Sequence, residues 1–191
     1  MDSLNEGNKL FKEGKIEEAL ICYEKVLSLN PNDVNGHFGK GNALRVLEKY
    51  VEAVACYQKV ISLNPNHVKA YNKKASVLRV LEKYQEALVD YDKVISLNPN
   101  NADAYNNKGA VLKRLEKYQE ALVCYDKAIS LDPNHASAYN NKGNVLKKMG
   151  KHQEALDCFD KIIHFFNLKY PLTYCHRGSL YNQLGQPEKA L

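Results

Sequence analysis

Residues 102–135, ADAYNNKGAVLKRLEKYQEALVCYDKAISLDPNH, are one copy of a 34-residue unit that returns along the whole chain. Residues 68–101, VKAYNKKASVLRVLEKYQEALVDYDKVISLNPNN, match it at 23 of 34 positions. A fixed period in the range of roughly 20–50 residues marks stacked repeats, each packing on its neighbours, rather than a domain built round one centre. Counting by 34 sets units at 1–33, 34–67, 68–101, 102–135 and 136–170, with a partial copy at 171–191. The array 1–191 is expected to behave as one domain, because no low-complexity linker divides it.

Each unit reads as two antiparallel helices. In 102–135 the apolar Tyr105, Ala110, Val111 and Leu112 mark the first. Ala121, Leu122, Tyr125, Ala128, Ile129 and Leu131 mark the second, with the three- and four-residue steps of an amphipathic stripe. The eighth position is small (Gly7, Gly41, Ala75, Gly109, Gly143, Gly178) and the twentieth is always Ala, so the helices can approach closely. The twenty-fourth is aromatic (Tyr23, Tyr57, Tyr91, Tyr125, Phe159) and is expected to fill the space beside them. An Asn/Asp-Pro-Asn run ends the second helix, since Pro cannot continue it. Asp33 and Asn101 then stand where the next helix needs an N-cap, and His67 and His135 occupy the same turn. The fold class is all-α, without a strand signal.

These residues resemble the tetratricopeptide repeat family over the whole chain: small, Ala, aromatic, Ala or Val, then Pro at fixed offsets. The resemblance implies a right-handed superhelical solenoid of helical hairpins, five full repeats and a partial sixth. It implies first helices lining a concave groove that binds peptides or partner proteins, as a scaffold or adaptor. One subfamily uses a two-carboxylate clamp for the acidic C-terminal tails of chaperones. Asn8, Lys69 and Lys73 match three of its five groove positions, whereas Leu4 and Gly39 stand where Lys and Asn are expected. A co-chaperone-like module is therefore one alternative. Another is a targeting or regulatory domain of a larger protein, an enzyme included, that continues past Leu191.

Helical geometry places positions four, eight and eleven of each unit in the packing, with two, five, six, nine, twelve and thirteen on the opposite side. There the twelfth position reads Arg45, Arg79, Lys113 and Lys147, and the thirteenth adds Lys12, Arg114 and Lys148. Positions five and six supply Asn72, Lys73, Asn106, Asn107, Asn140 and Asn141, and position nine Asn8, Asn42 and Asn144. A carboxamide both donates and accepts, so it can pair with the backbone of an extended peptide. Arg and Lys favour carboxylate or phosphate. The expected partner is an extended acidic segment of another protein. Position seven departs from the family, which usually has Leu there. Lys40, Lys74, Lys108, Lys142 and Arg177 are expected to lay their stems on the neighbouring helix and carry the charge to water.

Other chemistries lack their marks. There is no Gly-rich phosphate loop, no H-E-x-x-H and no G-x-S-x-G. The acids Glu18, Glu52, Glu86, Glu120 and Glu154 recur with the period, as solvated helix residues do, so no enzyme and no cofactor are expected. Cys22, Cys56, Cys124 and Cys158 share one repeat position, too far apart for disulfides, and fit a reducing cytoplasm. No metal site is expected. No apolar run nears the roughly 20 residues a membrane span needs. The formal charge of +5 comes without aromatics on the basic face, so nucleic acid is not the expected partner. Asn167 replaces the closing Pro of unit five, and the 162–170 junction is expected to be more apolar than the others. No capping element follows unit six, so a longer natural chain is expected, with self-association through the open C-terminal end as the alternative.

Overall fold

The computed structural model describes residues 3–166 and 171–185, all helix and connecting turn. The expectations for Asn167, for the remainder of that junction and for the chain end at Leu191 lie outside the described residues. Two compact units divide at Asn98/Pro99. The first holds α1 (Ser3–Lys12), α2 (Ile16–Leu29), α3 (Val34–Val46), α4 (Tyr50–Leu63), α5 (Val68–Val80) and α6 (Tyr84–Leu97). The second holds α7 (Ala102–Arg114), α8 (Tyr118–Leu131), α9 (Ala136–Lys148), α10 (His152–Phe166) and α11 (Pro171–Gln183). Within each unit, helices consecutive in the chain pack on one another, as hairpins stacked in series.

The turn chemistry explains the helix ends. Asp33 accepts from Gly36 N at 2.7 Å and Asn101 from Ala104 N at 3.0 Å, each occupying a donor the first helical turn leaves open. His67 does the same through Nδ1, from Ala70 N at 3.1 Å. His135 does not: its Nε2 lies 3.2 Å from Asp103 at the start of α7, which draws the ring away from the cap position. The second helices close on Asn or Asp. Asn64 Oδ1 accepts from Asn66 N at 3.1 Å across Pro65, the turn that gives Asn-Pro-Asn its purpose.

The turn within each hairpin depends on the fifteenth position. Glu48, Glu82 and Glu116 sit at φ 58–59°, and Gly14, Gly150 and Gly185 take the corresponding place at φ 69–80°. At Glu48 the backbone N–H reaches the Arg45 carbonyl and that of Lys49 the Leu44 carbonyl, the paired bonds of a Schellman ending. The left-handed residue is unavoidable there, and three glutamates hold it without the freedom of glycine.

The twenty-fourth-position rings are the centre of each hairpin. Tyr23, Tyr57, Tyr91, Tyr125 and Phe159 are all at most 2% exposed. Burying one aliphatic or phenyl side chain of this size contributes about 1.5–3 kcal/mol. A Cβ on Gly109 would stand 2.6 Å from the Tyr125 ring, and one on Gly143 2.7 Å from Phe159, which is why position eight is small. In the first helices the buried positions are three, eight, ten and eleven: Ala70, Ala75, Val77 and Leu78 in α5; Ala104, Gly109, Val111 and Leu112 in α7. Position four is buried at Tyr139 and half-buried at Tyr71 and Tyr105, so positions three and ten widen the expected four–eight–eleven stripe. Within a unit, α3, α5 and α9 each pack on their own second helix and on the second helix before them, so the buried stripe is wider and rotated.

Position seven also differs from expectation. Lys40, Lys74, Lys142 and Arg177 do not simply run out to water. Lys40 meets Glu24 at 2.9 Å, Lys142 meets Asp126 at 2.6 Å and Arg177 meets Asp160 at 3.4 Å, each an acid of the preceding repeat. Lys74 meets Gln58 in that place at 2.7 Å. These cations join neighbouring hairpins. All five cysteines are free thiols, and burial pushes Cys158 up to about 11.

Candidate functional site

The predicted residues lie on first helices, and the structure sorts them into three kinds. The first kind is engaged in holding the fold. The Tyr23 hydroxyl donates to Asn8 Oδ1 at 3.0 Å and the Tyr57 hydroxyl to Asn42 Oδ1 at 2.9 Å. Position nine thus serves the buried ring of its own repeat while keeping its amide hydrogens. Where Ala110 replaces that Asn, the Tyr125 hydroxyl is buried without a partner, and burial drives its pKa upward. Asn106 is 7% exposed and accepts from Asn141 Nδ2 at 3.0 Å. The pair bridges α7 and α9, so Asn106 faces into the packing and not outward as expected. Asn107 is half-buried on α7.

The second kind is the twelfth-position cations. The Arg45 guanidinium lies beside the Tyr57 hydroxyl, whose pKa burial raises to about 12. The Arg79 guanidinium lies beside the Tyr91 hydroxyl in the same way. Lys147 Nζ donates to Ser179 Oγ at 3.1 Å. Each faces a neutral hydroxyl, in contrast to the seventh-position cations that meet carboxylates. Lys73 is half-buried near Arg45; burial and then that positive charge lower its ammonium pKa. Lys69 is exposed. Asn72 Oδ1 and Asn140 Oδ1 are enclosed without a hydrogen-bond partner.

The third kind is gathered in clefts, one in each unit. In the first, a cleft of about 520 Å³ brings Asn8 and Asn42 together with Asn5, Asn35, Lys12 and Phe38. Its floor is Gly39 against the Tyr23 ring: a Cβ there would stand 2.4 Å from Tyr23 Cε1. The Asn that a carboxylate clamp would require at this position therefore collides with a ring fixed by burial and by Asn8. In the second, a cleft of about 870 Å³ brings Lys113, Asn144 and Lys147 together with Arg114, Lys148, Glu116, His152 and His176. Burial, then the Lys147 charge, lowers the His176 pKa.

Glu116 and the two histidines were not anticipated from sequence. His152 breaks its column, since Tyr50, Tyr84 and Tyr118 hold that position in units two to four, and this break was the available signal. His176 lies in the partial copy beyond a one-residue shift of register, where columns no longer align by counting. Among the described residues no group of His, Cys, Asp and Glu could hold a metal ion, and no helix is long and apolar enough to cross a membrane.

Comparison with known proteins agrees with the repeat geometry. Family models described as Tetratricopeptide repeat match residues 34–67 and 102–135, and 56–89 and 124–157; one described as TPR repeat matches 7–45 and 75–116. Together they run without a gap from residue 7 to residue 157, and the chain belongs to the tetratricopeptide repeat family. Among solved structures, MamA from Desulfovibrio magneticus RS-1 is similar at 26% identity, with 88% of this chain and 98% of that chain covered and a TM-score of 0.82. YrrB, described as a TPR protein with an unusual peptide-binding site, is similar at 27% identity, 90% and 88% coverage, and a TM-score of 0.75. A tetratricopeptide repeat protein from Parabacteroides merdae ATCC 43184 shares the fold at 20% identity, 98% and 74% coverage, and a TM-score of 0.85. No curated protein sequence matches the chain significantly.

Proposed function

We propose that this protein is an interaction scaffold whose first-helix faces hold an extended, acidic segment of a partner protein. The family supports a protein-interaction scaffold. The acidic preference rests on one observation: Arg45 and Arg79 lie beside the Tyr57 and Tyr91 hydroxyls and Lys147 donates to Ser179, neutral groups that leave a cation's charge in place. Such a cation retains its attraction for an incoming carboxylate and forms a stronger, charge-assisted hydrogen bond with it. The carboxamides beside them suit a peptide main chain, which offers both donors and acceptors. The role is binding rather than catalysis. The free thiols fit a reducing compartment, and a cytoplasmic location is part of the proposal.

The test is fluorescence anisotropy with a labelled hexaglutamate peptide against the full chain and an Arg79→Glu/Lys113→Glu variant. The variant is expected to bind at least about tenfold more weakly, since each lost charge-assisted contact is worth about 1.5–3 kcal/mol. Equal affinity for both, with helicity unchanged, overturns the acidic-peptide reading.

A further inference from the structure

The cleft of the second unit differs in kind from that of the first. Four cations line it, Lys113, Arg114, Lys147 and Lys148, against one carboxylate, Glu116. Two of the four are fixed by neutral oxygens. Lys147 donates to Ser179 Oγ at 3.1 Å; Lys148 donates to Tyr118 Oη at 3.2 Å and rests 5.6 Å from that ring's centre. On the same helix Lys142, by contrast, is paired with the carboxylate of Asp126. His152 and His176 line the same cleft, and neither Nδ1 has a hydrogen-bond partner. The space, about 870 Å³, is of the size that encloses a ligand side chain and its neighbours.

Such a surplus exceeds what a single carboxylate can satisfy. A phosphoryl group brings about −1.5 to −2 charges at neutral pH and three strong acceptor oxygens. It can therefore engage several ammonium, guanidinium and imidazole donors at once. We propose that this cleft is a docking site for a phosphorylated serine or threonine of the partner segment. The inference rests on the peptide-binding reading above and narrows it: the second unit reads a phosphate, where a carboxylate would leave cations unmatched.

The test uses three labelled peptides of one sequence, Gly-Glu-Glu-X-Glu-Gly, in which X is phosphoserine, Glu or Ser, titrated into the full chain by anisotropy. The phosphoserine peptide is expected to bind at least about tenfold tighter than the Glu peptide, from the strength of bidentate charge-assisted contacts. In a Lys147→Gln/Lys148→Gln variant of unchanged helicity, that ratio is expected to fall towards one. Perturbation of the His152 and His176 ring signals in NMR by the phosphoserine peptide supports the assignment to this cleft. Equal affinity of the phosphoserine and Glu peptides overturns the phosphate inference and leaves the acidic-peptide reading standing. Failure of all three to bind a folded chain overturns both. Displacement of the phosphoserine peptide by inorganic phosphate at equal concentration also overturns the inference, because the site would then read a free ion.

Discussion

Asp90 stands where four other repeats place Cys, and the substitution carries a cost that pH exposes. The side chain is 4% exposed, with Oδ1 3.1 Å from Lys74 Nζ and Oδ2 without a partner. Burial raises its pKa above the ordinary 3.8, and Lys74 offsets that only in part. A carboxyl with a raised folded pKa binds more protons folded than unfolded between its two pKa values. Its contribution is therefore most favourable below about 4 and is lost as pH rises through the folded value. The expected outcome is that wild type loses stability relative to Asp90→Asn as pH rises from about 3.5 through the folded value, then runs parallel to it. Urea unfolding of both proteins across that range measures the difference. A gap that moves in favour of wild type with rising pH would mean that the Lys74 pair outweighs burial. Tyr125 is a second strained residue by the same logic, a buried hydroxyl left alone because Ala110 replaced its Asn.

At the scale of the element, two of the three glycines of α3 answer differently to the same change. Helix propensity alone predicts a gain of about 1 kcal/mol for Gly→Ala at either place. At Gly36 the new Cβ would meet Val26 and Leu27 side chains at 3.1 Å, and Ala70 already sits against their counterparts Val60 and Ile61. Gly36→Ala is expected to stabilise by about 0.5–1 kcal/mol. At Gly39 the Cβ would lie 2.4 Å from a ring that is 2% exposed and tied to Asn8. Gly39→Ala is expected to destabilise by about 1–3 kcal/mol, the usual effect of overpacking. Thermal unfolding of the two variants checks the opposite signs. The helix boundaries were legible in the repeat because caps and breakers act within a few residues. Asp33 and Asn101 cap as their chemistry requires, whereas His135 turned to Asp103 on α7, a partner distant in the chain that local sequence does not reveal.

For the whole molecule the formal +5 charge divides by what each cation faces. Lys40, Lys142 and Arg177 meet carboxylates inside the fold; Arg45, Arg79 and Lys147 face neutral hydroxyls and retain their attraction. Binding of hexaglutamate is therefore expected to weaken about tenfold or more when salt rises from about 0.05 M to about 0.5 M, as screening shortens the reach of exposed charge. Helicity should hold over the same range. Affinity independent of salt would assign the binding to apolar contacts instead.

The repeat by itself determined the helices, their turns and the aromatic core, because a period of 34 residues registers the same local and nearest-neighbour demands in every copy. It also marked Arg45, Arg79, Lys113 and Lys147 as a column. What only the tertiary structure decided is which polar residues remain available to a ligand. Lys40 and Arg45 both read as helix-surface cations, yet one meets Glu24 of the preceding repeat and the other a tyrosine hydroxyl of its own. Asn106 and Asn107 are adjacent in one carboxamide run, yet Asn106 is buried against Asn141 and Asn107 is not. His176, outside the aligned columns, joins Lys147 in the basic cleft. Helix periodicity assigns a face to a residue, but the partner across that face comes from another helix, and that partner settles whether a charge is spent or kept.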